Sequence, residues 1–259
     1  MKSRILFPLM ITALLVFAGG LSFGQEPMAP ADANVNYPGP GGVTLGGYIA
    51  VPEGNGRAPG VLMIHEWWGL NQDVTMLADA LANEGFVVLA ADAFRGSVAQ
   101  SPAQARKQIS ETPQEQIAAD LDAALEYLKA HRRTDPDRIV SLGFCFGGTQ
   151  SMYMGTRKPE LAGVVIFYGS GPIQDPGQLG SMRRAGPVLG IYGEEDGNIP
   201  VSSVRNFESA LNEENVENTI IIYEGVGHAF VKSDTYDNGG TAEQAWNRMV
   251  RFLKENLMR

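Results

Sequence analysis

Arg138-Ile139-Val140-Ser141-Leu142 runs straight into Gly143-Phe144-Cys145-Phe146-Gly147-Gly148, and a helical stretch through Gln150 and Met154 follows. An apolar strand, a tight turn carrying one reactive side chain and a helix form the arrangement known as a nucleophile elbow, here with cysteine at its tip. The turn is strained. Small residues two before and two after the tip let the backbones pass without collision. The following helix aims its N-terminus at the thiol, so its dipole favours thiolate and the Phe146 amide can donate to an oxyanion. Cys145 is the chain's single cysteine. An intramolecular disulfide and any cysteine-based zinc or iron–sulfur site are therefore excluded. A cysteine that only packs in a core would not need glycines on both sides of it.

Outward from this elbow the apolar pattern alternates between strand and helix. Val61-Leu62-Met63-Ile64, Phe86 to Ala90, Ile139 to Leu142, Val164 to Phe167, Val188 to Tyr192 and Ile220 to Tyr223 are apolar runs without polar alternation. Such runs predict strands covered on both faces, as in a parallel sheet. Between them, residues 74–83, 113–131, 201–212 and 242–257 carry apolar residues at helical spacing. The alternation predicts one doubly wound α/β domain over residues 43–259, a mostly parallel sheet flanked by helices. Only about twenty residues separate Tyr168 from Val188, too few for a large lid domain, which favours small soluble substrates.

A cysteine nucleophile needs a base and an acid that orients it. Of the three histidines, His131 stands among basic residues at a helix end and reads as a cap. His65 closes a strand and reads as structural. His228 lies in Glu224-Gly225-Val226-Gly227-His228-Ala229-Phe230, a glycine-rich loop after a strand, and is the general-base candidate. The acid belongs after a strand between the two. Gly193-Glu194-Glu195-Asp196-Gly197 fits, with Asp196 preferred and Glu195 as the alternative. The order Cys145, Asp196, His228 is that of α/β-hydrolases. His65-Glu66-Trp67-Trp68-Gly69 is not a zinc-protease motif, since glycine stands where the second histidine belongs.

The chain has 259 residues, 44% hydrophobic and 19% charged, with a formal net charge of −9. The composition is globular. The acidic surface argues against nucleic acid and anionic lipid as partners. Lys2 and Arg4 precede an uncharged apolar run, Ile5 to Phe17, and Ser22-Phe23-Gly24 places small residues for cleavage before Gln25. Residues 1–24 therefore read as a signal peptide, and the protein as exported, periplasmic or secreted, with no stable membrane insertion after cleavage. Residues 25–42, rich in Pro and Gly, read as a flexible leader. Three dispersed histidines give no metal cluster, and no loop cradles phosphate, so no metal or cofactor is expected.

His65-Glu66-Trp67-Trp68-Gly69-Leu70, Gly143 to Gly148, Gly193 to Asp196 and Gly227-His228-Ala229-Phe230 together make the chain resemble the dienelactone hydrolase (carboxymethylenebutenolidase-like) family over nearly all of residues 43–259. The resemblance implies an α/β-hydrolase fold and a Cys145–His228–Asp196 triad that cleaves small esters or lactones through a thioester. It also implies that Glu66 touches the resting cysteine and swings away when substrate binds, and that the amides of Trp67 and Phe146 form the oxyanion hole. Family hydrolases hold the substrate carboxylate with two arginines. The matching positions are Arg95 and Lys232; lysine keeps the charge but loses the bidentate fork. Trp67, Trp68, Phe94 and Phe146 are the candidates to line an acyl pocket. The competing readings are a non-catalytic small-molecule binding protein on this scaffold and a thiol redox sensor.

Overall fold

The computed structural model describes residues 29–258. The signal-peptide reading of residues 1–24 lies outside them. In chain order the strands are β1 (Val35–Pro38), β2 (Thr44–Ala50), β3 (Ala58–Ile64), β4 (Val87–Ala91), β5 (Thr134–Phe144), β6 (Gly163–Phe167), β7 (Val188–Gly193) and β8 (Asn218–Tyr223). The helices are α1 (Gln72–Asn83), α2 (Pro102–Glu111), α3 (Gln114–Ala130), α4 (Phe146–Arg157), the short α5 (Pro176–Leu179), α6 (Val201–Glu213) and α7 (Gly240–Leu257). The eight strands form one sheet in the order β1-β2-β4-β3-β5-β6-β7-β8. From β4 to β8 the neighbours are parallel, while β1 and β2 are antiparallel additions at one edge. This is the α/β-hydrolase fold, without a large lid domain among the described residues.

All six apolar runs are strands, because helices flank the sheet and keep water from nearly all of them; only the run in β8, at the sheet edge, is mostly half-buried. Val61 to Ile64, Val87 to Ala90 and Val164 to Phe167 are fully buried. α1 begins where the Asn71 side chain accepts from the Val74 N–H, a standard N-cap.

The expected flexible leader needs correction over its described part. Val35–Pro38 pairs with β2, and Tyr37 is buried and stacked on Tyr127 of α3 at 4.8 Å. A proline at the end of an outermost strand costs nothing, since its missing donor would have faced solvent. Four residues with one strong apolar anchor carry too little pattern to read as a strand. β2 was likewise not predicted, because Gly46 and Gly47 interrupt its alternation. α2 also escaped prediction: among its residues only Ala105 is buried, so it shows no apolar stripe. No helix of the described residues is long and apolar enough to cross a membrane.

Candidate active site

Cys145 sits between the end of β5 and the start of α4 with φ +54° and ψ −113°, a conformation that costs a non-glycine residue strain. Its neighbours explain the sequence motif. A Cβ on Gly143 would lie 1.9 Å from the Gly147 carbonyl oxygen, and one on Gly147 would lie 2.1 Å from that of Ile64. Only glycine fits at either position, so the elbow's composition follows from backbone-to-backbone contact. The Cys145 N–H is spent on the Phe167 carbonyl at 3.0 Å, which ties the turn to β6. Phe146 opens α4, where N–H groups have no acceptor within the helix.

His228 follows β8, and its side chain bridges Asp196 and Cys145. Nδ1 donates to Asp196 Oδ2 at 2.6 Å, and Cys145 is the ring's other side-chain hydrogen-bond partner. Asp196 is buried, and its second oxygen accepts from the Asn198 N–H at 2.9 Å. Glu194 and Glu195 are exposed, so the choice among three adjacent acids falls on Asp196. Burial alone would pull the His228 pKa down. The hydrogen bonds to Asp196 and Cys145, and the charges of both, outweigh burial and lift it from 6.5 to about 10. A group with a raised folded pKa stabilises the fold fully below its unfolded value and loses that effect as pH rises through the folded one. The Tm advantage of the wild type over a His228→Asn variant is therefore expected to be largest at pH 6 and to shrink steadily toward pH 10. Thermal scans across that range check it; an advantage that grows with pH contradicts the arrangement.

Tyr168, which the sequence did not single out, is fully buried 5.2 Å from the His228 ring and donates its hydroxyl to the Val231 carbonyl at 3.0 Å. Burial, then the charges of Glu66, Cys145 and Asp73, push its pKa well up, so it stays a neutral phenol that seats the imidazole.

His65 is structural, as expected. Its Nε2 accepts from the Ala93 N–H at 3.0 Å, so Nδ1 carries the proton and donates to the Glu66 carbonyl at 2.6 Å. Burial lowers its pKa against the opposing influence of Asp92 and the neighbouring carbonyls.

Four expectations change at the charged and aromatic positions. Glu66 is buried, and its Oε2 accepts from Lys232 Nζ rather than meeting the thiol. Its Oε1 is buried without a hydrogen-bond partner among the described residues. Lys232 also lies 3.8 Å from Asp73 Oδ2, while Asp73 Oδ1 accepts from the Ser233 N–H. Lys232 is thus an internal counter-ion for two carboxylates, not a substrate ligand. Arg95 forks onto Asp120 at 2.7 and 2.9 Å, and its charge is equally committed. Phe94 is buried between His65 and Phe146 and packs the core. Sequence spacing does not reveal these partners, because Asp73 and Asp120 approach only through the fold.

A cavity of about 1100 Å³ opens over Cys145 and His228, with Trp67, Phe146 and Tyr153 among its walls. Trp68 reaches it too but is mainly packed on Ala99 and Ala105. One wall is α2, which contributes Pro102, Arg106 and Ile109. No carboxylate lines the cavity among the described residues. Arg106 is its one side chain with a permanent positive charge and has no ion-pair partner among them. Ser101-Pro102 was the available signal for α2: the Ser101 side chain caps Gln104 and proline occupies the first turn.

The family model described as "Dienelactone hydrolase family" matches residues 45–257. A relative from Aquifex pyrophilus, "Protein usf", is 34% identical over 226 residues, 83% of this chain and 95% of its own. The "Putative carboxymethylenebutenolidase" of Aquifex aeolicus is 32% identical with the same coverage. Among solved structures, the "Putative Dienelactone Hydrolase" from Klebsiella pneumoniae superposes with a TM-score of 0.73 at 26% identity, covering 85% of this chain and 98% of that one.

Proposed function

Because the chain belongs to the dienelactone hydrolase family and is accordingly a carboxylic ester hydrolase, we propose that it cleaves small esters and lactones by nucleophilic catalysis from Cys145, with His228 as acid–base and Asp196 as its orienting partner. The observation that carries this reading is the His228 ring, hydrogen-bonded to the buried Asp196 and interacting with Cys145 beneath an open cavity that both His228 and Cys145 line.

The steps follow from the geometry. The imidazolium of His228 beside the sulfur favours the thiolate. Cys145 Sγ attacks the carbonyl carbon, and the oxygen that becomes negative is received by the Phe146 and Trp67 amides. His228 then protonates the departing alkoxide, leaving a thioester on Cys145. Neutral His228 next takes a proton from water, whose oxygen attacks the thioester; the acid product and the thiolate–imidazolium pair result. Asp196 fixes the ring tautomer throughout, as in serine triads. With Glu66 committed to Lys232, the nucleophile needs no substrate-driven release from that carboxylate.

Trapping the acyl-enzyme tests this reading. Rapid quench of the enzyme with p-nitrophenyl acetate, followed by peptide mass analysis, is expected to find acetyl on Cys145; acetyl on another residue, with none there, overturns it.

For substrate choice, the absence of carboxylates in the cavity and the unpaired Arg106 favour esters with a distal anionic group, held at α2. Arg106→Gln is expected to lower kcat/KM for p-nitrophenyl hemisuccinate about tenfold, the lower end for a charge-assisted hydrogen bond at an exposed rim. Turnover of p-nitrophenyl acetate should be unchanged. Equal effects on both substrates would remove Arg106 from recognition.

A further inference from the structure

Trp67 stands between two peptide groups, and each is gripped by a side chain, one from the neighbouring His65 and one from the distant Gln108. The Glu66 carbonyl accepts from His65 Nδ1 at 2.6 Å and from the Gly69 N–H at 3.3 Å. The Trp67 carbonyl accepts from Gln108 Nε2 on α2. Gln108 is itself fixed at its other end, where Oε1 accepts from Ser97 Oγ at 2.9 Å. The loop holding Ser97 presses on the same segment: the Ala99 N–H donates to the Trp68 carbonyl at 2.9 Å, and a Cβ on Gly69 would lie 2.3 Å from the Ser97 oxygen.

The direction of the Trp67 N–H is set by the peptide plane it shares with the Glu66 carbonyl. In a trans peptide the two groups point to opposite sides. His65 pins that plane from one side, and Gln108 pins the next plane, so the backbone cannot rotate about Trp67 without breaking one of the two bonds. A preorganised donor is worth far more to an oxyanion than one that must be turned into place.

We propose that Gln108 is a positioning residue for the reaction, holding the Trp67 amide in the direction an oxyanion requires. It does not touch the substrate. It acts from a helix that also walls the cavity, so substrate contacts with Arg106 and Ile109 lie one or two residues from the bond that steadies the hole. The inference rests on the reading of Cys145 as nucleophile and of the Trp67 amide as an oxyanion donor.

Two reactions of the same thiol separate this role from general support of the site. Ester hydrolysis passes through an oxyanion. Alkylation of Cys145 by iodoacetamide forms the S–C bond and expels iodide with no oxyanion, so it reads only thiolate and access. In Gln108→Ala and in the near-isosteric Gln108→Glu, whose ionised carboxylate cannot donate, kcat/KM for p-nitrophenyl acetate is expected to fall about 10- to 100-fold. This is below the 10²–10³-fold loss typical when an oxyanion donor is removed outright. The loss should lie in kcat, and the alkylation rate should match the wild type. The glutamate variant keeps the volume, so it guards against a packing defect in the alanine variant. Undiminished ester turnover in both variants overturns the proposal, as does an alkylation rate that falls in step with turnover. Failure of the underlying reading looks different: a Cys145→Ala enzyme would retain its esterase activity.

Discussion

Cys145→Ala is expected to lose esterase activity by a factor on the order of 10⁴ or more, the scale seen when a catalytic nucleophile is deleted. Its fold and Tm should be nearly those of the wild type. The reasoning begins with the elbow. Cys145 holds a strained φ of +54°, and its side chain is the one group positioned by β5, α4 and His228 together. Alanine keeps the backbone strain and the glycine contacts but removes the atom that attacks. The remaining catalysis would come from the amides of Phe146 and Trp67 and from water held by His228. Initial rates with p-nitrophenyl acetate, beside a circular dichroism melt, measure both sides of the prediction. A folded variant that keeps a tenth of the wild-type rate would mean that water or another side chain attacks the carbonyl.

Lys232→Met is expected to destabilise the protein by about 3 kcal/mol, the lower end for breaking a buried ion pair, because part of the lysine stem remains wet. Lys232 is shared by Glu66 and Asp73, both buried. Methionine preserves most of the stem's packing but leaves two carboxylates facing each other without a cation. The Glu66 oxygen that already lacks a partner makes the site less able to absorb the loss. Urea unfolding of the single variant and of Lys232→Met/Glu66→Gln tests the account, since neutralising the glutamate should return more than half of the lost stability. A single-variant loss below about 1 kcal/mol would place this pair with weak surface bridges. An activity loss greater than the stability loss explains would show that an unclamped Glu66 interferes with the thiol.

What was legible in the sequence was what short-range sterics and hydrophobic pattern dictate. Strands β3 to β8 announced themselves as runs of Val, Ile, Leu and Phe because helices flank the sheet on both faces. The antiparallel edge formed by β1 and β2, and the rim helix α2, were harder to read. β1 is four residues long and ends in proline, β2 carries two glycines, and α2 buries only Ala105. None of them carries an unbroken apolar stripe: β1 and β2 are held by backbone ladders, which side-chain pattern does not encode. At the site, His228 and Asp196 were legible because glycine-rich turns after strands are where this architecture presents side chains. Gln108, Arg106 and Tyr168 were not, since α2 had only its Ser101-Pro102 start as a signature and no apolar stripe, and Tyr168 follows a strand as an ordinary aromatic would.

The amino-acid order alone thus determined a parallel α/β sheet and a cysteine at a bend that only glycines can flank, because backbone collisions depend on neighbours a few residues away. Tertiary structure decided which charge meets which. Arg95 goes to Asp120, Lys232 goes to Glu66 and Asp73, and among the described lysines and arginines only Arg106 lines the cavity. Coulomb attraction and desolvation act through space, so the partner that silences a cation can lie well over a hundred residues away along the chain, invisible to any reading of local spacing.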